Sequence, residues 1–179
     1  MMEHWAEAIL LLETLLKKVS GLHGNGVDIV STVGGIEFRN VTGTASVKKL
    51  MRSSEFRPRP GNKTDMAACV GQLFDRYTLE VIRSKPLEWQ RQLTIIVLTD
   101  GIWGSSSSEK VKESIAVFAK EVNKIDQESS QQIAPSVQFI QFGKDPDATY
   151  RLRALDEDWE KFHGIRSNLL FSFAKGLLS

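Results

Sequence analysis

"LTIIVLTDGIWGSSSS", residues 93–108, is the stretch on which the fold turns. An aliphatic and β-branched run without polar alternation reads as a strand covered on both faces, as in a parallel sheet. The run stops at Asp100-Gly101. A carboxylate is thereby delivered to the carboxyl end of a strand, the edge where ligands bind in open α/β sheets. Asp100 has two readings: a turn-forming Asp-Gly that needs no ligand, or a carboxylate held out for a metal or substrate.

Outward from this strand, helices and strands alternate. On the far side Val111, Ile115, Phe118, Val122 and Ile125 form an amphipathic helical stripe, with Ser106 and Glu109 at capping-box spacing. The polar stretch "DQESSQQ" reads as a loop, "VQFIQFG" as an alternating strand, and Asp145-Pro146 as a helix N-cap followed by proline at the first helical position. Leu152, Leu155, Trp159 and Phe162 carry the last helix. On the near side, Trp5, Ile9, Leu12, Leu16 and Val19 recur at helical spacing, with Gly21 as the stop. Val27–Val33 is strand-like, whereas Ile36-Glu37-Phe38 is too short to assign. A short helix is expected from Thr44, a proline-broken loop at "FRPRPGNK", and a longer helix from Thr64 to about Arg83. The expected architecture is a single-domain α/β three-layer sandwich around a mostly parallel sheet.

Composition narrows the function classes. A chain of 179 residues suits one domain with one core. The net charge of +1 with 25% charged residues sets up no field that would gather nucleic acid or an anionic membrane. A lone Cys69 excludes an intrachain disulfide and a cysteine-rich zinc site, and inside a helix it reads as an inert thiol. The amino-terminal segment lacks a cationic signal-peptide start, and "AILLLETLL" is interrupted by Glu13 and closed by Lys17-Lys18. No apolar run approaches the roughly 20 residues a membrane-spanning helix needs. A cytoplasmic location is the expectation. His4, His23 and His163 are not at metal-ligand spacing, and no Gly-x-Ser-x-Gly elbow occurs. "GLHGNG" follows a helix, not a strand, so it reads as a helix stop and turn.

The succession of a helix, "GVDIVST", "GNKTD" opening a long helix, "IIVLTDG" ending a buried strand, and "VQFIQFGKDPDATYRLRALDED" resembles the von Willebrand factor type A domain, most closely its fungal intracellular versions. The resemblance runs from about Trp5 to Arg166. It implies a Rossmann-like sandwich with a metal-ion-dependent adhesion site on three loops: an Asp-x-Ser-x-Ser loop, a threonine and an aspartate. Thr64 looks like the second-loop threonine and Asp100 like the third-loop aspartate. Mg²⁺ takes six hard oxygens at roughly 2.1 Å and keeps several waters. An acidic side chain of a partner protein could then complete the shell.

The chain departs from that pattern at its start. The first strand and its Asp-x-Ser-x-Ser loop are missing, and "SSSS" at 105–108 has no acid before it at the right spacing. In the family that strand is central, between the strands read here at 27–33 and 93–99. Its loss from a sheet spaced at about 4.8 Å leaves a slot lined by unpaired backbone groups. The neighbours could close up, the atypical tail at 167–179 could insert, or another chain could donate a strand. The fourth alternative, an N-terminally incomplete copy, is the favoured one, because the tail departs from the family where a final strand is expected.

Each candidate has a plainer reading beside it. Thr64, or Asn62 with Asp65 three residues on, makes a good helix N-cap. Asp65 could replace a lost carboxylate, although acids in a first turn serve the helix dipole. Arg57, Arg59 and Lys63 could meet a phosphate or acidic peptide, or be simply solvated. Trp103 would anchor a partner if exposed, or pack on the top of the sheet. The leading expectation is a non-enzymatic protein-interaction module with a degenerate metal site at Thr64 and Asp100, holding Mg²⁺ weakly. Its partner-binding residues would be Asp65, Trp103, Arg57 and Arg59. The competing readings are a Mg²⁺-dependent Rossmann-like hydrolase using Asp100 and a truncated remnant without function.

Overall fold

The computed structural model describes residues 1–19, 26–32, 36–53, 57, 64–79, 93–104, 107–129, 135–162 and 170–175. Among them are five helices and five strands, α1 (Trp5–Val19), β1 (Val27–Val30), β2 (Glu37–Val41), α2 (Thr44–Arg52), α3 (Met66–Tyr77), β3 (Thr94–Thr99), α4 (Ser108–Ser129), β4 (Ser136–Gln141), α5 (Pro146–Phe162) and β5 (Leu170–Lys175). The class is mixed α/β. The described strands form two sheets in place of the single one expected: an antiparallel pair β1-β2 and a parallel sheet in the order β3-β4-β5.

The parallel sheet is regular. β3 and β4 pair from Thr94↔Ser136 to Thr99↔Gln141 without a shift, and β4 and β5 from Ser136↔Leu170 to Gln141↔Lys175. β4, paired on both sides, buries every second residue, Val137, Phe139 and Gln141. The expectation that 93–99 is buried on both faces is met only at Ile95 and Thr99; Ile96, Val97 and Leu98 are half-buried. The reason is positional. Among the described residues β3 pairs on one side only, so its aliphatic surface lacks a neighbouring strand's cover. The tail does not fill that place, because β5 lies beyond β4 on the opposite edge. The final strand expected to be lacking is thus present at 170–175.

Two apolar cores correspond to the two sheets. The larger gathers α3, α4, α5, β3 and β4 around Val70, Phe74, Ile115, Phe118, Phe139 and Leu152, with the Phe74 and Phe118 rings stacked at 4.0 Å. The smaller joins α1, α2, β1 and β2 around Leu16, Ile29, Val41, Val47, Leu50 and Met51. There the Trp5 indole donates to the Met51 carbonyl at 3.1 Å.

Several local expectations shift. β1 stops at Val30, three residues short of the expected end, while β2 extends the three-residue fragment to Val41. The pair is irregular between Val27 and Ile29. Asn40 has φ 55°, a conformation asparagine tolerates, and its N–H is taken up by the Asp28 carboxylate at 3.0 Å. The polar "DQESSQQ" begins as the last turn of α4, which runs to Ser129. The Ser107 hydroxyl accepts the Lys110 N–H at 3.2 Å at the start of α4; Ser106, expected to form a capping box with Glu109, lies outside the described residues. Asp145 caps α5 as expected, accepting the Ala148 N–H at 2.9 Å with Pro146 first in the helix.

Candidate functional site

At the carboxyl end of β3 the chain makes a tight, well-bonded turn. The buried Thr99 hydroxyl accepts from the Gly101 N–H at 2.9 Å and the Trp103 indole N–H at 3.2 Å. The Asp100 Oδ1 accepts the Ile102 N–H at 3.1 Å, an Asx turn. Gly101 has φ +78°, and a Cβ there would lie 2.4 Å from the Ala148 Cβ. Only glycine combines that backbone with so close an approach to α5. Arg151 of α5 clasps the same turn, donating to the Gly101 carbonyl and lying 5.7 Å over the Trp103 ring. β4 is tied in alongside: the Phe142 N–H donates to the Thr99 carbonyl at 2.8 Å, and the buried Gln141 accepts from the Thr149 hydroxyl at 3.1 Å.

The loop opening α3 joins this rim. Asp65 and Gly104 form an isolated antiparallel bridge, and a Cβ on Gly104 would lie 3.1 Å from the Thr64 Oγ1. The structure therefore brings Thr64 beside the Asp100–Gly104 loop. It assigns the helix cap differently from the expectation: Asp65, not Thr64, caps α3 by accepting the Ala68 N–H at 3.0 Å. Asn62, the other expected cap, lies outside the described residues. Burial first, and the nearby Asp65 second, hold the Cys69 thiol above its ordinary pKa, which makes it a poor nucleophile.

The Asp100 Oδ2 is also engaged, in an ion pair with the Met1 ammonium. Burial lowers the pKa of that ammonium, with Glu3 pulling the other way. His4 follows on the same side of the rim, its ring stacked on Phe142 at 6.4 Å. Gly143 leaves room for it, since a Cβ there would lie 2.7 Å from His4 Nε2.

Of the two readings of Trp103, a partner anchor or packing on the top of the sheet, the second is the one observed. At 2% exposure, packed against Phe139 at 6.1 Å, it belongs to the core and is no surface anchor. Its neighbour Ile102, 61% exposed, is the apolar residue this loop presents to solvent. Arg57 is exposed, and its N–H donates to the Ser53 carbonyl at 3.3 Å; Arg59, Lys63, His23 and His163 lie outside the described residues. Sequence reasoning missed Ile102, Arg151 and Gln141. The only available signal was an aliphatic residue placed directly after Asp-Gly, where a polar one is expected.

As a metal site the rim is thin. No group of three or more His, Cys, Asp or Glu residues converges among the described residues. Of the two candidate donors, Asp100 has both oxygens already engaged. A divalent ion there would displace the ammonium and retain most of its water shell. No helix among the described residues is long and apolar enough to cross a membrane. Set against known proteins, the chain matches no sequence family, no curated protein and no solved structure.

Proposed function

We propose that this chain is a von Willebrand factor A-like three-layer domain lacking one central strand, and that it acts as a non-enzymatic protein-interaction module. The observation that carries the reading is the Asp65–Gly104 bridge. It sets the entry of α3 beside the loop leaving β3, the loop on which Ile102 stands exposed. Two connections from different parts of the chain thus make one contact surface at the carboxyl end of the parallel strands, where this class of sheet binds its ligands. The break between β1-β2 and β3-β4-β5 supports the family likeness, because it falls where the resembled family has its first strand. The half-buried aliphatic residues of β3 support a second contact, a strand donated by another chain along that edge.

The adhesion site is degenerate on this reading. Thr64 and Asp100 hold Mg²⁺ weakly, and an acidic side chain of the partner pairs with whatever cation Asp100 carries. The protein acts in the cytoplasm, away from nucleic acid and membranes.

The test compares native chain and Ile102→Asp as baits in cells that express it. A discrete set of captured proteins that disappears with Ile102→Asp is the expected result; identical sets would remove the rim from the account. Thermal unfolding in millimolar Mg²⁺ against EDTA reads the metal separately, since ion at ten times its Kd adds about 1.4 kcal/mol. Turnover of a phosphoester panel that Asp100→Ala abolishes would replace the module with a hydrolase.

A further inference from the structure

We propose that the groove between α3 and α4 receives a basic amphipathic helix from a partner protein, at a surface that meets the rim only at Asp65. The groove is an open cleft of about 910 Å³, with one helical stripe along each wall. On α3 the stripe runs through Ala67, Gly71 and Asp75, with Leu79 just past the helix end, and on α4 through Glu113, Val117 and Glu121. Two such stripes side by side present the kind of channel into which the ridge of a third helix packs.

Three features point to an occupant of that chemistry. Leu79 and Val117, on opposite walls, are 58% and 60% exposed, so each wall offers an apolar contact left open among the described residues. Among the described residues acids outnumber bases around them, Asp65, Asp75, Glu113 and Glu121 against Lys110. That charge pattern attracts a cationic partner and repels an acidic one. Gly71 supplies the third feature. It sits in mid-helix, where glycine is unfavourable relative to alanine, yet a Cβ there would meet only the Ser114 Oγ at 3.7 Å, an ordinary contact. Neither its own backbone nor its neighbours require a glycine. Its effect is to keep the groove floor low, where the side chains of a docked helix would enter.

Helix-in-groove recognition uses this combination of apolar anchors and a charged rim. The probe is a synthetic amphipathic peptide of leucine and lysine, about four helical turns long, with a leucine and glutamate peptide of the same pattern as its control. Binding to the full chain is followed by anisotropy and by amide shifts. The lysine peptide should shift amides of α3 and α4 and bind at least about tenfold more tightly than the glutamate peptide. Glu113→Lys with Glu121→Lys should reverse that preference. Gly71→Leu should block binding by about tenfold or more, while Gly71→Ala should raise the unfolding temperature, which shows that the position tolerates a side chain. Ile102→Asp should leave the peptide affinity unchanged. Equal binding of the two peptides, affinity indifferent to Gly71→Leu, or loss on Ile102→Asp would each overturn the proposal. The last of these would leave the rim reading standing.

Discussion

The two sheets of this molecule solve the same problem with different resources. The β3-β4-β5 sheet is parallel, in unbroken register, and packed against α3, α4 and α5 by a core rich in aromatic and branched side chains. The β1-β2 pair is antiparallel, irregular between Val27 and Ile29, and covered by α1 and α2 over a smaller core. Among the described residues no sheet hydrogen bond links the two. Joints between them include the ion pairs of Arg76 of α3 with Glu37 and Asp28 of the hairpin and of Met1 with Asp100, and the His4 ring on Phe142. Ion pairs of this kind contribute little compared with burial. The difference teaches that the rim stands at a junction between a strong half and a weaker one.

Core truncations break the comparison most forcefully. Phe139→Ala, in the fully buried centre of β4, should cost about 3–5 kcal/mol and unfold the parallel half in denaturant titrations. Leu16→Ala, in the smaller core, should cost about 2–4 kcal/mol. Its loss should appear first in the hairpin signals, with the β3-β4 amides still protected; simultaneous loss would make the two cores one cooperative unit.

Asp65→Ala removes the carboxylate that caps α3 and leaves the backbone bridge to Gly104 in place, at an expected cost of about 1 kcal/mol by thermal unfolding. A larger loss would mean that the Asp65 carboxylate does more than cap the helix. Arg76→Ala severs the joint between halves and should cost about 0.5–1 kcal/mol, diminishing in high salt. The same joint supplies a pH dependence. Burial alone would raise the Glu37 pKa, but hydrogen bonds and charge from Arg39 and Arg76 outweigh it and leave it lowered. A carboxylate with a depressed folded-state pKa binds fewer protons than its unfolded counterpart. Its stabilisation is therefore complete above the ordinary glutamate pKa and is lost as pH falls through the folded value. Glu37→Gln should flatten that acid limb of the stability profile; an unchanged limb would place the titration elsewhere.

Legibility in the sequence follows how local the signals are. Apolar runs and stripes located β3, β4 and α4, and Asp145-Pro146 located the start of α5 to the residue, because composition and one side-chain bond decide these elements. β2 was recognisable only as a fragment, since "EFRNV" is half exposed and its irregularity depends on Asp28 across the pair. The rim was legible in part. Position at a strand's carboxyl end singled out Asp100, and the structure brings Thr64 to the same loop. Packing of Trp103 on the top of the sheet was one of its two readings, but its partners Phe139 and Arg151 were not readable, both being distant in sequence. Nor was the ion pair between Asp100 and the Met1 ammonium.

Native-state hydrogen exchange tests the division into two halves most directly, because it reads the opening free energy of each strand pair separately. Amides of β3 and β4 should exchange only through the largest opening of the molecule, while those joining β1 and β2 exchange through a smaller one with a shallower denaturant dependence. A single opening energy and a single slope shared by both sheets would contradict the account.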